Sequence, residues 1–404
     1  MKSKIWWLAM LCVTIVVLVI GNISFREIYS LPEGFLATYE EVNQANSNKT
    51  FGAFVSAKMQ RSDQSVGSDK SGEGTIVFKL FGLIPIRKLT VVCSSENEVY
   101  VGGVPIGISI SSAGAIVINE KVVETDNGYV NTKKSDVFHE GDLLTQINGV
   151  NVTSLDELSS VVENSDNPEF EVTYKRKNNI HKAIIKGEID KNSGKYKLGL
   201  WVRDDVSGIG TLTYVNKETG AYAALGHAIT DNQNNVSVAG GNIYNCKLLG
   251  IEKGEKNNPG QLRCTFLKTD EIQGDVQKNT KYGIFGRISN NDSLIDQNLT
   301  MHLGGRLSVK PGAAKIISSV SGIREEYDIE IIKASYQAKA DEKSIVFRVK
   351  DKRLLELTGG IVQGMSGSPI VQNGKLVGAV THVFMSDPTK GYGVYSDWMV
   401  ANEC

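Results

Sequence analysis

The apolar positions change rhythm three times along the chain. Ile5–Ile20 is an uninterrupted apolar run, IWWLAMLCVTIVVLVI, preceded by Lys2 and Lys4 and closed by Gly21-Asn22. Its length falls between a signal-peptide core and a full membrane span. No A-x-A cleavage site follows, and Trp6-Trp7 suits a membrane interface. The pattern predicts an uncleaved signal-anchor over residues 1–21, with a cytoplasmic N-terminus and an exported body. A cleaved signal peptide is the alternative, and a buried core helix fits poorly with a terminal run flanked by lysines. Residues 22–75, within a segment 22–95 ahead of the next unit, are polar, and 62–74 (SDQSVGSDKSGEG) hold Val66 as their sole apolar side chain. This stretch reads as a linker with juxtamembrane strands at Thr75–Leu80 and Leu89–Cys93.

Residues 96–190 read as a second unit. VYVGGVPIGI (99–108) is a Gly-rich turn running into a strand. HEGDLLTQING (139–149) alternates apolar and polar positions and ends on an Asn-Gly turn. Ser154–Glu163 places Leu155, Leu158, Val161 and Val162 on one helical face, with Ser154 as N-cap. Phe170–Tyr174 and Ala183–Ile185 follow as strands. The order G-D-x-L-x-x-I-N-G, helix, strand resembles a PDZ domain. That resemblance implies a loop whose N–H groups capture a peptide carboxylate while the peptide adds a strand. Here the loop would hold Val104, Ile106, Gly107 and Ile108.

From 195 to 404, short strands alternate with Gly and Asn turns, and no helical pattern exceeds two turns. This predicts a β-barrel or sandwich. Composition agrees with a mostly β chain: 41 Gly in 404 residues, with β-branched side chains filling the apolar runs. The net charge of −1 gives no reason to expect a nucleic-acid partner. Five Cys are widely spaced, with no C-x-x-C, and a Cys246–Cys264 bridge is conceivable in an exported body. Five His show no metal-ligand spacing, so no metal or other cofactor is expected.

The chemistry gathers in TGGIVQGMSGSPIVQNGKLVGAVTHV (358–383). Small residues around Ser366 let the backbone turn sharply and present an exposed hydroxyl. The N–H groups of Gly364 and Ser366 are then available to a developing oxyanion. Ile370-Val371, the Asn373-Gly374 turn and Val377–Val383 form a hairpin, and chymotrypsin-like serine peptidases are built around such a G-x-S-G-x-P segment. Ser368 precedes Pro369, which favours extended backbone and turns its hydroxyl toward a backbone partner. An ordinary Gly/Ser turn between strands is the alternative reading of the loop. A serine nucleophile needs a base. His227, in ALGHAITD (224–231), sits at a strand–turn boundary among small residues. His382, in the returning hairpin strand, competes with it and reads as a wall of the specificity site.

The motifs LGLWVRD (198–204), GIGTLT (208–213), ALGHAITD, YGIFG (282–286), 358–384 and GYGVYSDWM (391–399) resemble the stage IV sporulation protein B peptidases. The resemblance covers the chain from about residue 85 onward. It implies an N-terminal membrane anchor helix, a PDZ-like domain over 96–190 and a chymotrypsin-like double β-barrel over 195–404. It implies a triad of His227, Asp351 and Ser366. It further implies an enzyme tethered in the forespore inner membrane, facing the intermembrane space. Such an enzyme cleaves itself and then clips a protein of a membrane regulatory complex to activate sigma-factor processing. The alternatives are a non-catalytic membrane-anchored PDZ scaffold and a general envelope quality-control protease.

Overall fold

A computed structural model describes residues 34–37, 55–61, 72–80, 83–93 and 98–403. Within the last range, 132–133, 178, 232–233, 237, 268–270, 290–293, 307 and 335–340 are not described. The expected signal-anchor lies outside the described residues. Among those described, no helix is long and apolar enough to cross a membrane.

The expected linker contains strands. β1 (Gly34–Ala37), β2 (Val55–Arg61), β3 (Gly72–Leu80) and β4 (Ile84–Cys93) form a sheet in the order β1-β4-β3-β2. Val55, Ala57 and Met59 alternate with Ser56, Lys58 and Gln60, a strand period hidden within a polar average.

β5 (Glu98–Val101) leads into β6 (Pro105–Glu120), a long strand whose halves serve different cores. The second half joins β7 (Leu143–Ile147), α1 (Leu155–Glu163), β8 (Glu169–Arg176) and β9 (Asn179–Lys186). These enclose a core of Phe138, Leu144, Ile147, Leu158, Val162, Phe170 and Val172. Ser154 caps α1 by accepting from the Glu157 N–H, and Asn148-Gly149 turns with φ of 51° and 77°. This is the PDZ-like unit.

The first half of β6 belongs elsewhere. It pairs on one edge with β10 (Leu200–Asn216). Past β11 (Ala221–Ala224), its other edge meets β12 (Val238–Asn245). Ile106 and Ile108 are fully buried with Leu212, Tyr222, Ile243 and Ile284. Of the expected peptide-binding loop, Ile106, Gly107 and Ile108 are therefore barrel strand with both edges occupied, while Val104 precedes the strand and accepts the Leu212 N–H. The strand has no free N–H row for a ligand. Gly107 is required by packing, because a Cβ there would stand 2.2 Å from the Phe266 ring. Conversely, Leu198 from the expected peptidase domain is buried in the PDZ-like core. The two units share strands across the expected 190/195 boundary.

β13 (Lys247–Glu252) and β14 (Gln261–Thr265) make a hairpin. Cys246 and Cys264 carry free thiols hydrogen-bonded to each other, not a bridge, and that bond and burial push the Cys246 thiol up. β15 (Gly283–Arg287) pairs with β11. A second group follows: β16 (Gly312–Ser318), β17 (Glu325–Ala334), β18 (Ile345–Val349), α2 (Lys352–Thr358), β19 (Pro369–Gln372), β20 (Lys375–Val383) and β21 (Lys390–Tyr395). Its core holds Ile316, Tyr327, Ile345, Phe347, Met365, Ile370 and Tyr395. A third cluster, including Val99, Tyr214, Phe285, Ile317, Leu376 and Val394, joins the two groups. The whole is mostly β with a closed barrel sheet. The predicted hairpin is present, with Asn373 and Gly374 at φ 52° and 73° between β19 and β20.

Candidate active site

The loop that carries Ser366 lies between α2 and β19. Gly364 and Gly367 hold φ of 94° and 97°, a region open to glycine at little cost. At Gly367 a Cβ would also stand 2.0 Å from the Thr211 carbonyl oxygen. β10 passes beneath the loop and fastens it. The Thr211 hydroxyl donates to the Gly364 carbonyl at 2.7 Å, the Thr211 N–H to the Ser366 carbonyl at 2.8 Å, and the Thr213 hydroxyl to the Gly367 carbonyl at 2.7 Å.

The N–H groups of the loop divide into two sets. Those of Met365, Gly367 and Ser368 donate to the carbonyls of Val362, Val380 and Met365. Those of Gly364 and Ser366 meet no acceptor among the described residues. Each belongs to a peptide plane whose carbonyl is pinned: Gln363 accepts from the Leu262 N–H at 2.8 Å, and Met365 from the Ser368 N–H at 2.9 Å. Because N–H and C=O of a trans peptide point oppositely, pinning the carbonyl fixes the direction of the donor.

Ser366 is half-buried, and its hydroxyl donates to the Thr381 carbonyl at 2.8 Å. Ser368 is fully buried and its hydroxyl meets no partner among the described residues, unlike the backbone bond expected for it. β11 ends at Ala224. Leu225 and Gly226 then take φ of 66° and 72°, and the Leu225 conformation is costly for a side chain branched at Cγ. The kink carries His227 beside β20, the returning strand of the hairpin after Ser366. A Cβ on Gly226 would stand 2.9 Å from the Thr381 methyl, and the His227 and His382 rings lie 4.9 Å apart at 37°. His227 Nδ1 lies 2.9 Å from the Ala228 carbonyl oxygen. A carbonyl can only accept, so Nδ1 carries the proton and Nε2 presents the lone pair a general base needs.

Residues 194–400, just over half of the chain, match the family model described as SpoIVB peptidase S55. The chain belongs to this family. No curated protein matches it. Among solved structures, it is similar to the PDZ domain of an SdrC-like protein from Listeria monocytogenes. That similarity is at 27% identity and TM-score 0.18, over 22% of this chain and 87% of that chain. Membership of the SpoIVB peptidase family makes the chain a serine peptidase.

Electrostatics in this peptidase favour an unprotonated base. Burial holds the His227 imidazole below its ordinary value, opposed by the Ala228 carbonyl and the charge of Glu342. Burial, then the neighbouring His227 and Lys343, push His382 down to about 4. Both rings are therefore neutral at neutral pH.

The structure does not bring Asp351 to His227. Asp351 is the N-cap of α2, accepting from the Arg353 and Leu354 N–H groups, and it pairs with the Arg353 guanidinium at 3.0 Å. It stands beyond one end of β18, while Glu342 precedes the other. That strand's 5 residues alone span roughly 17 Å. Asp is among the preferred N-cap residues, and α2 uses Asp351 as its cap. The Leu225-Gly226 kink before His227 packs on Gly367 and Thr381, the immediate neighbours of Ser366, whereas Asp351 is held at the α2 cap. Thr381 and Leu262 escaped sequence reasoning because they act through a backbone carbonyl and a backbone N–H, to which any residue type can contribute, and Thr211 because its hydroxyl and N–H meet a loop more than 150 positions away in the chain. His139, His181 and His302 lie outside the site, His181 being stacked on Tyr174 at 5.4 Å.

Proposed function

We propose that the chain is a membrane-tethered serine endopeptidase of chymotrypsin-like build, with Ser366 as nucleophile and His227 as general base. The observation that carries this reading is the pair of unengaged N–H groups, Gly364 and Ser366, flanking an accessible hydroxyl beside a neutral, tautomer-fixed imidazole. Rotation of the Ser366 side chain away from the Thr381 carbonyl turns its hydroxyl toward Nε2. His227 takes the proton as Oγ attacks the scissile carbonyl, and the two N–H groups receive the oxyanion. The imidazolium then protonates the leaving amine, and water releases the acyl group by the reverse sequence. The Ala228 carbonyl orients Nδ1–H in the place expected for Asp351, and the charge of Glu342 acts on the same ring.

The family's kinship with sporulation peptidases supports an exported enzyme of the forespore inner membrane. It would process itself and then a protein of a membrane regulatory complex, leading to sigma-factor activation.

The test is labelling with a fluorophosphonate probe together with peptide hydrolysis. Ser366→Ala should lose labelling and on the order of 10⁴–10⁶ in turnover. Ser368→Ala should keep both, and should not lose stability, since it removes a buried hydroxyl without a partner. Labelling of Ser366→Ala with a dead Ser368→Ala would move the nucleophile to Ser368. No labelling of the wild type would favour the scaffold reading.

A further inference from the structure

The second half of β6 offers the geometry by which PDZ-type sheets add a peptide: a strand edge facing a helix. One edge of this half is taken by β7, with Ala115 opposite Leu144 and Ile116 opposite Leu143. The other edge, beside α1, is also occupied. Leu200, Trp201, Val202 and Arg203 lie antiparallel along it, opposite Glu120, Asn119, Val117 and Ile116.

The occupying segment runs the length of α1 and is fastened at both ends. At the helix C-terminal end, Glu163 receives Lys197 at 2.6 Å and Lys195 at 3.3 Å. At the N-terminal end, the Asp204 carboxylate accepts the Leu155 N–H at 2.9 Å, where a negative charge suits the helix dipole. Between them Leu198 is buried with Leu158 and Val162, and Leu200 and Val202 pack on the same core. Apolar side chains alternate inward while Trp201 stays 59% exposed. That is how a bound peptide reads along a sheet edge.

We propose that the peptide-accepting edge of the PDZ-like unit is filled in cis by Lys195–Asp204. On this proposal the unit is a clamp on the chain's own strand, and not a receptor for the carboxyl end of a partner. The clamped strand is β10, which continues without a break to Thr211 beneath the nucleophile loop. The clamp goes beyond the peptidase reading and does not depend on which serine attacks.

The experiment uses the full chain carrying Ser366→Ala, so that self-processing and catalysis do not enter the result. Hydrogen exchange is followed first with the cysteines unchanged. Amides of 198–203 should be protected as strongly as those of 115–119, and exchange at the rate of exposed loops would overturn the clamp. Next, Asn119→Cys and Trp201→Cys are introduced with the 5 native cysteines replaced by alanine. These two positions face each other directly, at about the 4.5–5.5 Å Cα spacing of antiparallel partners, within disulfide range. Glutathione disulfide should oxidise the two thiols to an intramolecular bridge with release of two glutathione thiols, read by intact mass. A fluorescent peptide with the sequence of residues 195–204 should bind neither the bridged nor the unbridged chain. Absence of the bridge in a folded chain, or saturable binding of that peptide at the α1 edge of the bridged chain, would overturn the proposal.

Discussion

At the scale of single residues, Asp351 is engaged by the first turn of α2 and by the Arg353 guanidinium at 3.0 Å. The tight turn that carries Ser366 and the chain reversal before His227 were legible because both need small flanking residues, which show in the sequence. The place of Asp351 did not follow in the same way, because a carboxylate ahead of a short helix serves a cap as readily as a histidine. Its contacts predict separable effects. Asp351→Asn preserves the cap and should hold turnover within about tenfold of wild type, while Asp351→Ala should cost about 0.5–2 kcal/mol by thermal denaturation. A loss near 10⁴ in Asp351→Asn with normal melting would instead place the carboxylate on His227 in the working enzyme. His382 adds a pH signature. An unfolded imidazole titrates near its ordinary value of about 6.5 and the folded one at about 4. Between those values the unfolded chain takes up a proton that the folded chain refuses. This contribution to stability is complete above about pH 6.5 and declines as pH falls toward 4. The drop in Tm between about pH 7 and about pH 4.5 should therefore be smaller in His382→Phe than in wild type. Identical drops would assign the acid sensitivity to other groups.

At the scale of elements, the hairpin turn at Asn373-Gly374, the Ser154 cap and helix α1 followed from periodicity and turn chemistry, which are local. The assignment of strand halves to different cores did not. β6 is one apolar-rich run in sequence, and nothing local says that Ile106 faces one core and Val117 another. β10 is divided in the same way and reaches from the α1 edge to the nucleophile loop. Its Thr211 is 2% exposed and supports the loop through a side-chain hydroxyl and a backbone N–H. Thr211→Val keeps the shape and removes the hydroxyl bond to the Gly364 carbonyl. With one buried hydrogen bond worth about 1 kcal/mol, kcat should fall roughly fivefold with little change in KM. Thr211→Ser should restore it. A rise in KM at constant kcat would mean that Thr211 serves substrate binding and not the set of the loop.

At the scale of the whole molecule, the shared strands decide what can be cut. Sequence periodicity and the family match both place the start of the peptidase near residue 195, because the motifs begin there. The chain folds otherwise. Ile106, Ile108 and Ile110 come from before the PDZ-like unit, are fully buried, and fill the core that holds up β11 and the His227 kink. Their strand pairs with Asp205–Thr211 on one side and with β12 on the other. A polypeptide of residues 195–404 would lose three isoleucines, each worth about 1.5–3 kcal/mol of burial. It would also leave two strand edges unpaired, enough to exhaust a typical domain stability of about 5–15 kcal/mol. It should therefore lack a cooperative thermal transition and bind no fluorophosphonate. A polypeptide of residues 98–404 retains β5 and β6, the PDZ-like unit and every contact of the site. It should melt cooperatively and take up the probe. Calorimetry and probe labelling of the two, side by side, check this. A cooperatively folded and reactive 195–404 would mean that the strand Pro105–Ser112 is dispensable to the peptidase core.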